Sequence, residues 1–240
     1  MTDITTSTIA RFTAVHRQMR TDTQRVVAAI EVCVPGDRSR RRALARWAEG
    51  FASELHLHHT IEDTYFLPPL AARLPDLADV VTGLEQDHAV VDRIMQRWTP
   101  AAHRFGDPTE AFWDARCELL GLAIELRDLL ARHLDIEDEL LVPRFSEAFT
   151  EADLQRLEED VTGALGVKGL AFALPWNIDA HDASERAELI AGAPAMMRVL
   201  YRLTVGRHRR LVATAFEGVA VPASSTQGES AAAGGAARHP

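Results

Sequence analysis

His58-His59-Thr60-Ile61-Glu62-Asp63-Thr64-Tyr65-Phe66-Leu67-Pro68 has a second version 75 residues further on, His133-Leu134-Asp135-Ile136-Glu137-Asp138-Glu139-Leu140-Leu141-Val142-Pro143. Both spell His-x-x-x-Glu-Asp, then four residues, then Pro. Residues four apart on a helix stand one turn apart on the same face, roughly 6 Å along the axis. An imidazole and a carboxylate so spaced can converge on one metal ion, and two such motifs on facing helices can enclose two. Each Pro is expected to end its helix, because Pro removes a donor and clashes within a helix interior.

Working outward, the apolar pattern predicts four long amphipathic helices. The first runs from Thr5 to Val32 with a seam of Ile9, Phe12, His16, Met19, Thr23, Val26 and Ile30, and Pro35-Gly36-Asp37 closes it. The second runs from Arg38 to Leu67, with Leu44, Trp47, Phe51, Leu55, His58, Glu62 and Tyr65 on its inner stripe. The third runs from Pro75 to Trp98, with His88 interrupting Leu77, Val80, Leu84, Val91, Ile94 and Trp98. Thr99-Pro100 and Gly106-Asp107-Pro108 read as loop. The fourth runs from Thr109 to Val142 through Phe112, Leu119, Ala123, Leu126, Leu130, His133, Glu137 and Leu140, with Arg116 the outlier. Short connections between long helices predict an all-α, up-down-up-down four-helix bundle. The order His16, His58-x-x-x-Glu62, His88, His133-x-x-x-Glu137 repeats with gaps of 42 and 45 residues, so the bundle reads as a duplicated helical hairpin.

The bundle is assigned to residues 1–149 and a C-terminal helical extension to 150–221. Helices are expected from Thr150 to Leu165, over 183–191 and over 194–219, with the apolar stretch 170–176 packed on the bundle. The Ala, Ser and Gly of 222–240 read as a disordered tail.

A net charge of −9 argues against sequence-independent nucleic-acid binding. The run Arg38-Ser39-Arg40-Arg41-Arg42 reads as a solvated helix start. No segment resembles a signal peptide or a membrane span, and two distant cysteines suggest neither a disulfide framework nor a thiolate site. A cytoplasmic location is the expectation.

Six inward side chains remain: His16, His58, Glu62, His88, His133 and Glu137. Taken singly, each is compatible with a buried polar group satisfied by a neighbour. Taken together, two buried carboxylates would cost several kcal/mol each without partners, and no Lys or Arg lies on these stripes beside them. A pair of cations supplies the charge. Imidazole and carboxylate without sulfur suit iron, manganese or zinc. His59 is placed about 100° round the helix and read as flanking; His56, His103, His181, His208 and His239 are read as solvated. Tyr65 is read as a core ring near the site, Asp92 and Glu85 as candidates to orient His88, and Asp63 and Asp138 as surface acids.

The pattern His16, His58-x-x-x-Glu62, His88, His133-x-x-x-Glu137 resembles the hemerythrin-like, HHE cation-binding family over residues 5–148. The resemblance implies a non-haem di-iron centre with two bridging carboxylates and an oxo or hydroxo bridge, zinc or manganese being alternatives. It implies a small partner such as dioxygen, peroxide or nitric oxide, or a role in iron handling. Two departures stand out. The oxygen-carrying members have a second histidine one turn from the third-helix ligand, where this chain has Leu84 and Asp92. They also carry an aspartate five residues after the fourth-helix histidine, whereas Glu137 stands four after His133. Fewer nitrogen ligands favour peroxide or nitric oxide chemistry over reversible carriage. A ligand-binding or sensing protein, a peroxide-disproportionating or ferrous-oxidising enzyme, and a structural zinc bundle are therefore the readings to separate.

Overall fold

The computed structural model describes residues 4–164 and 170–219. Every regular element among them is helical: α1 Ile4–Val32, α2 Arg38–Ile61, α3 Leu67–Arg73, α4 Ala78–Gly106, α5 Phe112–Ile136, α6 Phe145–Ala148, α7 Glu151–Ala164, α8 Leu170–Asp179, α9 Ala183–Gly192 and α10 Ala195–Ala215. The expected tail, with His239, and the glycine-rich stretch at 166–169 lie outside the described residues.

Long helices α1, α2, α4 and α5 carry the core. α4 packs against both α2 and α5, and α5 packs against α1. The α1 and α2 backbones approach each other at few points, and α8 lies across the gap between them. Trp176 Nε1 donates to Asp22 on α1 at 2.8 Å, and Asn177 Nδ2 donates to Glu54 on α2 at 3.1 Å. The Phe172 ring packs against Gly50, where a Cβ would come within 2.3 Å of it, so α8 can seat this deeply only over a residue without a side chain. α10 packs on both α2 and α8.

Two apolar cores result. The larger holds Met19, Trp47, Phe51, Leu55, Trp98, Leu126 and Leu130; the smaller holds Phe66, Leu70, Leu84, Leu141, Phe145 and Leu154. Between them the same helices bring His16, Glu62, His88, His133 and Glu137 inside, all under 5% exposed.

Neither Pro68 nor Pro143 ends its helix. Each motif passes into a π-helical turn, Glu62–Phe66 and Glu137–Leu141, in which the Leu67 and Val142 amides reach back to the Glu62 and Glu137 carbonyls. Each widened turn restarts the helical ladder, so the prolines fall at its first positions, where no amide donor is required. The extra residue also rotates the seam. Phe66 and Leu141 are buried in place of the expected Tyr65 and Leu140, and Leu140 is 44% exposed.

Pro100 likewise lies inside α4 and not in a loop. Trp98, Ala101, Ala102 and Phe105 are buried on that segment and hold it helical across the missing donor. Its end is capped by Arg41, whose Nε and Nη2 donate to the carbonyls of Phe105 and Asp107, both at 2.7 Å. Arg41 is therefore buried, contrary to the solvated start expected for its run. Arg116 finds a similar role, donating to the carbonyls of Ile30 and Glu31 at the end of α1. Among the described residues no helix is long and apolar enough to cross a membrane.

Candidate metal centre

All six side chains singled out from the sequence meet at the junction of the two cores, and a seventh joins them. Two groups form there, each with its ligand-type atoms mutually within 4.8 Å: His16, His58, Glu62 and Glu137, and His59, Glu62, His88 and His133. Glu62 belongs to both.

His58 and His59 are neighbours in sequence, about 100° apart round α2, and they point to different groups. The His58 ring stands 5.2 Å from that of His16, whereas His59 stacks on His88 with centroids 4.0 Å apart. Reading one face per helix missed His59, because a helix aimed between two adjacent positions can serve one from each side. A signal was present: His59 also fits the seam at Leu55, His59 and Glu62. Its counterpart in the second motif, Leu134, is fully buried.

Within the first group His58 Nε2 is 3.0 Å from Glu62 Oε1, and His16 Nε2 is 3.5 Å from Glu137 Oε2 and 3.8 Å from Glu62 Oε1. Within the second, His88 Nε2 is 3.2 Å from His133 Nε2 and 3.5 Å from Glu62 Oε2. His133 Nε2 also stands 3.4 Å from Glu137 Oε1, which ties the second carboxylate to both groups. Two ligand atoms about 2.1 Å from one ion stand roughly 3.0 Å apart at a right angle and 3.4 Å apart at a tetrahedral angle. Three of these separations, at 3.0, 3.2 and 3.4 Å, lie in that range, and the others, at 3.5 to 3.8 Å, a little above it.

The decisive test of fit is what these atoms lack. His16 Nε2, His58 Nε2, both His59 nitrogens, both Glu62 oxygens and Glu137 Oε2 are buried without a hydrogen-bond partner among the described residues. Buried polar atoms are ordinarily paired, so seven such atoms gathered in two groups fit a site whose partner is a cation. The electrostatics agree. Burial would push the His16 imidazolium down, but the carboxylates of Asp138, Glu62 and Glu137 outweigh it and raise the group to about 9. Burial would likewise raise Glu62, yet His58 and His16 hold it well below the ordinary range. His59, buried beside His88, is driven well below the usual imidazole value and keeps its lone pair free.

Asp63 and Asp138, expected at the surface, hold the outer edges of these rings. Asp63 Oδ1 is 2.7 Å from His88 Nδ1, and Asp138 Oδ1 is 2.8 Å from His16 Nδ1. Each motif thus sends its Glu inward and its Asp across to the histidine of the other hairpin. A carboxylate accepting the Nδ1 proton fixes the tautomer and leaves Nε2 facing the metal position. Arg20 holds Asp138 in turn, at 2.8 Å. Glu85 and Asp92 do not take this part; Asp92 stands near exposed His56 at 3.9 Å. Tyr65 borders a separate pocket with Arg73, Phe149 and Asp153, displaced from the site by the π turn. His208 is buried within the extension, not solvated.

A cavity of about 370 Å³ reaches the first group, ending on His58 and Glu62. Its wall is mainly apolar, with Phe12, Val15, Leu57 and Phe66 from the long helices and Ala173 and Leu174 from α8. Glu54, one turn before His58, is a second buried acid in that wall, beside Glu62. Burial, only partly offset by Asn177, raises its carboxyl from 4.5 to about 7. The folded chain therefore holds a proton that the unfolded chain releases, and stability falls as pH rises from about 4.5 to 7, by up to roughly 3 kcal/mol. Thermal melts should show Glu54→Gln lacking that part of the slope and melting higher than the parent at pH 8. Parallel pH profiles for the two chains would contradict this.

The fold and this site define a helical protein with paired histidine–carboxylate clusters suited to cations. The Hemerythrin HHE cation binding domain family matches residues 7–145, and the chain belongs to that family. No curated protein and no solved structure matches it.

Proposed function

We propose that this chain is a non-haem di-iron protein in which dioxygen, peroxide or nitric oxide is bound or transformed at the paired clusters. The four long helices are read as an up-down-up-down bundle of hemerythrin type over 1–149, and 150–221 as an added helical cover. In this reading His16, His58 and Glu137 would hold one ion and His59, His88 and His133 the other, with Glu62 available to both. Bound iron supplies the one-electron chemistry that these small oxidants and radicals require, which zinc lacks.

The observation that carries the reading is the asymmetry of the clusters toward the cavity. Five imidazoles divide two and three, and the cavity ends on the cluster with two. A position with fewer protein ligands, reached through an apolar passage, suits a small uncharged molecule entering from solvent. His59 makes up for the histidine absent at positions 84 and 92, so the shortage of nitrogen expected from the sequence falls on one position and not on both. Carrier or sensor behaviour and peroxide or ferrous-iron turnover share this arrangement.

Metal analysis with absorption spectroscopy tests the proposal. Two irons per chain, with a charge-transfer band that changes on adding dioxygen, peroxide or nitric oxide, is the expected result. Zinc with no colour would replace it with a structural bundle. Catalytic oxygen release from peroxide, against stoichiometric spectral change, separates enzyme from binding protein.

A further inference from the structure

Away from the metal centre, a groove of about 870 Å³ lies between α2 and α10, with α8 at its base. Arg42 and Arg46 line one wall, one turn apart on α2; Arg207 and Arg210 line the other on α10. The chain is acidic overall, with 35 carboxylate side chains against 26 cationic ones. Some arginines elsewhere pair with carboxylates, as at Arg20–Asp135, Arg73–Asp153 and Arg144–Asp76, and others, such as Arg41 and Arg116, cap helix ends through backbone carbonyls. None of the four groove arginines forms an ion pair among the described residues. The single acid in the lining, Glu49, approaches His103 instead, at 4.0 Å.

Four like charges gathered on facing helices repel one another, and the fold gives them no internal counter-charge. Such an arrangement is stabilised by an external anion whose charge is spread over the distance between the pairs. Arginines one turn apart stand roughly 6 Å apart along the helix, a span that two or three linked phosphates cover. The planar guanidinium matches phosphate oxygens two at a time, as ammonium does not. At the base stands buried His208, its ring 5.1 Å from Phe172 and its Nδ1 without a partner among the described residues. Phe172, Ala43 and Leu211 give the same groove an apolar floor, and its volume lies in the range of small-molecule sites.

We propose that the groove between α2 and α10 is a binding site for an oligophosphate, held by Arg42, Arg46, Arg207 and Arg210. The ligand chemistry is a linear di- or triphosphate, and the two sources that supply it are inorganic oligophosphate and nucleoside polyphosphate. This site is independent of the metal assignment, because none of its residues belongs to either cluster.

Calorimetric titration of the full chain with inorganic triphosphate, with ATP and with a short duplex DNA tests the proposal. Saturable one-to-one binding of a triphosphate is expected, weakening steeply with added salt. Arg46→Glu and Arg207→Glu should each weaken it by about tenfold or more, the worth of one charge-assisted contact. Arg132→Glu, on the surface of α5, should leave it unchanged. These arginines are exposed, and circular dichroism melts will show the variants folded. Tighter binding of ATP than of inorganic triphosphate assigns the apolar floor to a nucleoside; equal binding assigns the site to the phosphates alone. Absence of saturable binding, unchanged affinity in both groove variants, or duplex DNA binding as tightly as triphosphate would overturn the proposal.

Discussion

Glu62→Ala is expected to abolish metal binding at both positions together, whereas Glu137→Ala mainly removes the position held by His16 and His58. Glu62 is the residue common to the two groups, with Oε1 facing His58 and Oε2 facing His88. Partners that merely orient a ligand are worth about 10- to 100-fold in metal affinity. A ligand shared by two ions should therefore cost more than about a hundredfold at each. Asp63→Asn and Asp138→Asn give the comparison, each weakening one position by about 10- to 100-fold through His88 or His16. His103→Ala, on an exposed ring, should retain full metal. Metal content after desalting, with competition against a coloured chelator, measures all five. Equal retention in Glu62→Ala and Glu137→Ala would remove Glu62 from its central place.

The reason Glu62 can reach both positions is also the reason part of the site escaped the sequence. Helical periodicity identifies residues sharing a face, and on that basis it grouped His16, His58, Glu62, His88, His133 and Glu137, which the fold does bring together. It assigns one face to each helix. The α2 end instead addresses two positions side by side, and His59 enters from the adjacent face. Asp63 and Asp138 escaped for a related reason: periodicity describes a helix in isolation, whereas these carboxylates act across to a different hairpin.

The prolines were informative, though not as helix ends. Their shared placement ten residues after each histidine marks where the chain leaves α-helical spacing. The π turns that precede them replace Tyr65 with Phe66, and Leu140 with Leu141, at the core. No composition rule separates such a turn from a helix end, since both leave the proline without need of a donor. The extension was harder to read. α8 depends on Gly50 yielding its space to Phe172 and on Asp22 accepting from Trp176, contacts 122 and 154 residues apart in sequence.

Stripping the metals is expected to lower stability by roughly 8 kcal/mol. A ligand bound only by the folded chain, present at about a thousand times its dissociation constant, contributes about 4 kcal/mol, and two positions contribute about twice that. At about 2–4 °C per kcal/mol for a chain of this size, the melting temperature should fall by roughly 15–30 °C. The metal-free state supplies the physical cause. Glu62 and Glu137 are each 1% exposed, and three of their four oxygens have no hydrogen-bond partner among the described residues. Protons on neighbouring imidazoles are the local compensation, and an imidazolium is a poorer counter-charge than a divalent ion with directed bonds. Relaxation is obstructed from both sides, because close-packed cores resist the movement that would admit water. Chelation followed by calorimetry, then restoration with ferrous iron, measures the effect. An apo chain that melts with the holo chain would mean that the carboxylates are satisfied without metal, and the assignment of both clusters would fall with it.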